Sequence, residues 1–124
     1  MEKVTDLKNH AKKPQPQSKR DAQEIIHQLA EKDSGNIYYT RHVKEQMLER
    51  GFTYNDILTI LREGVIKIEP RYNEKKRLWA YRLDFVNFTG SRDAGCVVAI
   101  QQKGRLQVVT IMWIDPRKGD KWDD

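Results

Sequence analysis

The chain has 124 residues, 38% hydrophobic and 33% charged, enough for one small core and too few for two, which excludes a multidomain enzyme. Twenty-three Lys and Arg against 18 Asp and Glu give a formal charge of +5, a balance that favours acidic partners such as nucleic acid without defining one. The single Cys96 excludes an internal disulfide, and no stretch approaches the roughly 20 apolar residues of a membrane span or the apolar core of a signal peptide; a soluble, cytoplasmic protein without a membrane partner is expected.

Residues 1–20 hold six Lys or Arg against Glu2 and Asp6, with Pro14 and Pro16 in a polar stretch. So little apolar surface cannot offset chain ordering, so residues 1–18 are read as a flexible basic arm and 19–124 as a single domain. Ala22, Ile25, Ile26, Leu29 and Ala30 recur at helical spacing after Ser18, which predicts a helix over 19–32. After the short apolar patch Ile37-Tyr38-Tyr39, Thr40 caps a second helix that carries Val43 and Met47 and ends at Gly51. Thr53 and Asp56 open a third, with Tyr54, Ile57, Leu58 and Leu61 inward and Gly64 at its close.

From Val65 the period falls to two and β-branched and aromatic residues dominate. A strand from Val65 to Glu69 stops at Pro70, and a basic turn from Arg71 to Lys76 leads into a strand from Leu78 to Val86. A polar loop from Asn87 to Ala94 precedes Cys96 to Gln101. Lys103-Gly104 then turns into the last strand, Arg105 to Ile114. The pattern predicts an α+β fold in which N-terminal helices pack on a curved antiparallel sheet of about four strands.

His42 falls in the first turn of the second helix. There the dipole disfavours a protonated imidazole, and Glu45 and Gln46 lie within reach to orient it. A His that only caps or packs is the plainer alternative, and Arg50 equally suits a cation that complements the helix end. On the strands, Tyr81, Arg82, Lys67 and Thr110 are candidates because strands hold side chains rigidly. Arg82 breaks an apolar alternation and therefore points either to solvent or into a polar groove, and Thr110 is also simply a good strand former. Arg41, Arg71, Lys75, Lys76 and Arg77 could meet phosphates, although a solvated turn looks the same. The three His are scattered and no metal-ligand spacing occurs, so no metal or cofactor is expected.

The run Tyr39-Thr40-Arg41-His42-Val43-Lys44-Glu45-Gln46-Met47-Leu48-Glu49-Arg50-Gly51-Phe52-Thr53, followed by Ile57, Leu61 and Gly64, resembles a family of small bacterial proteins known only as domain of unknown function 4258. Its pattern is Thr/Ser-x-His-x-x-x-x-Met-x-x-Arg-Gly, and Leu106 to Trp113 is similar to its closing strand. Gln46 departs from the pattern, since many members have Arg before the Met. The family is distantly similar to RelE-type toxins of the barnase, colicin and RelE ribonuclease fold. That resemblance implies helices on a curved antiparallel sheet, metal-independent RNA cleavage, and control by an antitoxin or immunity protein. His42, Arg50 and Thr110 occupy its motif positions.

The leading expectation is a toxin-like endoribonuclease in which the ribose 2′-hydroxyl attacks the adjacent phosphate. His42 would be base or acid, Arg50 and Arg82 would meet the phosphorane charge, Thr110 would hold a phosphate oxygen and Tyr81 would be a second proton-transfer group. Arg41, Lys67, Arg71, Lys75, Lys76 and Arg77 would bind RNA. The alternative is a non-catalytic module that binds nucleic acid or a protein, with the oligomeric state open in both.

Overall fold

Among the described residues three α-helices precede all but one short strand, and each starts where a side-chain oxygen can satisfy an end N–H group. A computed structural model of the chain describes residues 15–101 and 104–115; most of the basic arm, Lys103 and the terminal Asp123-Asp124 lie outside the described residues. Helix α1 (Lys19–Lys32) is capped by Ser18, whose Oγ accepts from the Asp21 N–H at 3.1 Å. It buries Ala22, Ile26 and Ala30, spaced four apart, as one stripe. Helix α2 (Arg41–Arg50) is capped by Thr40, which accepts from the Val43 N–H at 3.1 Å, and ends at Gly51 with φ 77°, a left-handed turn that suits glycine. Helix α3 (Tyr54–Glu63) opens on a reciprocal Thr53–Asp56 capping box.

The sheet has six strands rather than four. In chain order they are β1 (Ile37–Tyr39), β2 (Val65–Ile66), β3 (Arg71–Asn73), β4 (Leu78–Thr89), β5 (Arg92–Gln101) and β6 (Arg105–Ile114). The order across the sheet is β1-β6-β5-β4-β2, and β3 also pairs with β4. The short patch before α2 is itself a strand, parallel to β6 with Ile37 opposite Leu106. The expected strand from Val65 to Glu69 pairs only through Ile66. Beyond the kink at Pro70 the chain re-pairs with β4 as β3, inside what reads as a turn. The expected loop from Asn87 to Ala94 is mostly strand. Asn87 at φ 55° gives its N–H to Asp93 Oδ1 at 2.8 Å, which lets the β4–β5 ladder shift register and continue.

The helices cover one face of this sheet. Ile26, Val43, Met47, Ile57, Ile60 and Leu61 pack against Leu83, Cys96, Val98, Val108 and Ile111. The opposite face is also buried, and beside Val97, Ala99 and Met112 it carries the polar groups Arg82, Asp84, Gln107 and Thr110. The mixed α+β architecture with leading helices is the one expected from the sequence.

Candidate functional site

Strand β1 covers the outer edge of β6 only as far as Val108, and helix α2 takes over from there. Thr40 N–H donates to the Val108 carbonyl at 3.2 Å, and the Ile111 N–H donates to Gln46 Oε1 at 3.0 Å. Between those two anchors the first turns of α2, including His42, run alongside Val109 and Thr110. Arg50 Nη1 donates to the Ile111 carbonyl at 2.7 Å, and Trp113 Nε1 donates to the Arg50 carbonyl at 2.9 Å. Gln46 and Arg50, one turn apart, thus satisfy both backbone groups of Ile111 as a further strand would.

Gln46 also fixes His42. A backbone N–H can only donate, so the amide oxygen must face Ile111 and the NH2 end must face the imidazole, 2.9 Å from His42 Nε2. Nε2 therefore accepts, which leaves the ring neutral with its proton on Nδ1. His42 itself is exposed while Gln46 is 3% exposed. Glu45, the other expected partner of His42, pairs with Arg41 at 3.7 Å. An arginine at position 46 has donors only and could not accept from Ile111.

Next to this edge β6 carries a bulge. Val97 pairs with Thr110 and Val98 with Val108, so Val109 is an extra residue. Val108 and Ile111 both face the helices, whereas Val109 and Thr110 both line a cleft on the other side, about 180 Å³ in volume, with Arg71, Tyr72, Asn73, Ala80 and Val97. Strict alternation from Val108 would have put Thr110 in the helix-side core. Tyr72 meets Trp79 with ring centroids 5.2 Å apart.

Arg82 lies opposite Val97 on the cleft's face of β4. At 1% exposure it does not point to solvent; Nε and Nη2 grip both oxygens of Asp84 at 2.8 and 3.0 Å, and Asp84 is 5% exposed. Gly95 makes room for Ile114 rather than for the pair: a Cβ there would stand 2.9 Å from Ile114 Cδ1 but at an ordinary 3.5 Å from Asp84 Oδ1.

The remaining candidates are dispersed. Tyr81 is on the helix-side face, where its hydroxyl accepts from the Gln17 N–H at 2.8 Å. Burial raises its pKa and the Gln17 bond works against that rise. Lys67 is exposed on the link between β2 and β3, at the far edge of the sheet from β6. Lys75, Lys76 and Arg77 are exposed in the β3–β4 turn, which Asn73 closes by accepting the Lys76 N–H on Oδ1 at 3.0 Å and the Arg77 N–H on its carbonyl at 2.8 Å. The structure thus brings Arg71, Thr110 and Arg82 to one face, sets Arg41 and His42 along its edge, ties Arg50 to that edge through Ile111, and leaves Tyr81 and Lys67 elsewhere. Asp84 and Asn73 escape the sequence reading, though each left a signal: Asp84 two positions from Arg82 on one strand face, Asn73 at the start of a turn.

Among the described residues no group of three His, Cys, Asp or Glu is placed to hold a metal ion, and no helix is long and apolar enough to cross a membrane. No curated protein and no solved structure matches the chain. A family model described as Domain of unknown function (DUF4258) matches residues 39–113, a span that takes in α2, the bulge and the whole lining of the cleft. With more than half of its length matched, the chain belongs to the DUF4258 family.

Proposed function

We propose that the protein is a metal-independent endoribonuclease of the toxin type, related in fold to the RelE-type toxins, acting in the cytoplasm and restrained by an antitoxin or immunity protein. The observation that carries this reading is the β6 bulge, which turns Thr110 into a cleft edged by Arg71 and Asn73, while Thr40 and Gln46 anchor the turn of α2 that bears His42 to β6 on either side of Val109 and Thr110. Bulges of this kind re-aim side chains next to active sites.

In the reaction, a base removes the proton of the 2′-hydroxyl, the 2′ oxygen bonds to the adjacent phosphorus, and the bond to the 5′ oxygen breaks as that oxygen takes up a proton. The products are a 2′,3′-cyclic phosphate and a free 5′-hydroxyl. The lone pair of His42 that would take the proton faces the Gln46 amide. Base catalysis therefore requires the substrate hydroxyl to displace that N–H. Arg71 and Arg41 are the exposed cations for phosphate at the cleft and along its edge.

The test is cleavage of a fluorescent single-stranded RNA in the presence of a chelator by the parent, His42→Ala and Thr110→Val, each shown to be folded. A drop of about 100-fold or more for His42→Ala is expected. Folded variants that cut as fast as the parent would remove the assignment.

A second reading, a nucleic-acid-binding module without catalysis, is favoured by two specific observations: Gln46 occupies the imidazole lone pair, and Arg82 is neutralised by Asp84. It expects salt-sensitive RNA binding, no cleavage by the parent, and affinity unchanged in His42→Ala.

A further inference from the structure

We propose that the cleft beside the β6 bulge is a binding site for one unpaired nucleobase that carries carbonyl oxygens, uracil before guanine or cytosine, on a single RNA strand. The inference rests on the reading of the protein as RNA-directed and adds what that reading lacks, the part of the RNA that the cleft takes.

Size comes first. At about 180 Å³ the cleft is smaller than the roughly 300 Å³ at which pockets for drug-sized ligands begin, yet it holds several times the roughly 30 Å³ share of one water. It fits one ring system rather than a whole nucleotide. Its walls are the second consideration. Ala80, Val97 and Val109 make an apolar surface that suits the flat face of a base and offers nothing to a bare phosphate, while the Tyr72 ring lies against Trp79 on the opposite, helix-side face.

The polar groups then discriminate. Asn73 Oδ1 accepts the Lys76 N–H, and because that backbone group can only donate, the amide orientation is fixed with the NH2 end presented away from the turn. Arg71 likewise brings only donors. A rim of donors pairs best with carbonyl oxygens, of which uracil has two, guanine and cytosine one each and adenine none, adenine offering only ring nitrogens beside an amine that itself donates. Lys75, Lys76 and Arg77, exposed on the adjoining turn, give the charge that a phosphate backbone leaving the cleft requires. An extruded base is available in a single strand and not in a duplex, whose bases are stacked and paired.

The experiment measures fluorescence anisotropy with three labelled hexamers of equal charge, oligodeoxyuridylate, oligodeoxyadenylate and an abasic hexamer, at low salt. None has the 2′-hydroxyl, so binding is read apart from cleavage. The uridylate is expected to bind about tenfold or more tighter than the abasic strand, the size of one stacked base, and tighter than the adenylate. Asn73→Asp keeps the acceptor for Lys76 but loses the NH2 donor, and is expected to abolish the preference for uridylate over adenylate; Ala80→Leu, which fills the cleft, is expected to narrow the gap to the abasic strand. Equal affinity of the parent for all three hexamers would overturn the base site while leaving RNA binding in place. No binding of any hexamer, the outcome for a cleft that takes a peptide, would overturn the site together with the RNA reading it rests on.

Discussion

Gln46 joins the edge of the sheet to the one exposed histidine of α2, and its geometry yields predictions at the scale of single residues. The His42 ring is expected to show the Nδ1–H tautomer in long-range proton–nitrogen NMR spectra, and Gln46→Ala should shift it toward the mixture of a free imidazole. The same variant leaves the Ile111 N–H without an acceptor and should cost about 1–3 kcal/mol in urea unfolding. For the buried pair, Asp84→Ala should cost about 3–5 kcal/mol because it strands the Arg82 guanidinium. Arg82→Met with Asp84→Leu together should recover most of that loss, measured the same way. Burial also raises the pKa of the Tyr39 and Tyr81 phenols above 10.0 and of the Cys96 thiol well above 9.0. Each group is uncharged in the fold, so its contribution is complete below the unfolded pKa. The unfolded chain gives up these protons first as pH rises; melting temperature is therefore expected to fall steadily above about pH 9, and less steeply in Tyr81→Phe.

At the scale of elements, the bulge in β6 invites a direct test. Removing Val109 leaves Val108 opposite Val98 and Thr110 opposite Val97, a regular ladder. The deletion is expected to keep a cooperative unfolding transition by circular dichroism while RNA affinity falls about tenfold with the loss of a cleft wall. Gly64 shows the reverse sensitivity. A Cβ there would lie 2.5 Å from the Ile60 carbonyl and 3.0 Å from Leu83 Cβ, so Gly64→Ala should destabilise by about 2 kcal/mol where α3 hands over to β2. These elements were unevenly legible in the sequence. Helix starts could be read because Ser18, Thr40 and the Thr53–Asp56 box are local chemistry, and Gly51 marks an end for the same reason. Strands β1 and β3 could not, since three residues are too few to show a period and their partners lie far along the chain. The bulge was hidden because Val108-Val109-Thr110 is a run of strand formers whichever side each residue faces. At the site, His42 with Gln46 was visible as a helical i,i+4 pair, but the acceptor role of Gln46 toward a backbone group 65 positions away was not.

For the whole molecule, charge is distributed with the layers. Residues 19–63, which form the helices and β1, hold eight acidic and seven basic side chains, whereas residues 64–115 hold five acidic and nine basic. If Arg71, Lys75, Lys76 and Arg77 each neutralise one phosphate, the logarithm of affinity for single-stranded RNA should fall with the logarithm of salt concentration with a slope of about −3. The parallel pairing of β1 with β6 has a further consequence, for the order in which the chain can fold as it is made. β1 and α2 are made before β6, but the backbone groups that anchor them, the Val108 carbonyl and both backbone groups of Ile111, belong to β6. A chain halted on the ribosome before Arg105 therefore has neither a bulge nor a cleft wall, and its imidazole has no fixed tautomer. If the protein is a toxin, synthesis itself is its first safeguard, because the site comes into being only once β6 has been made.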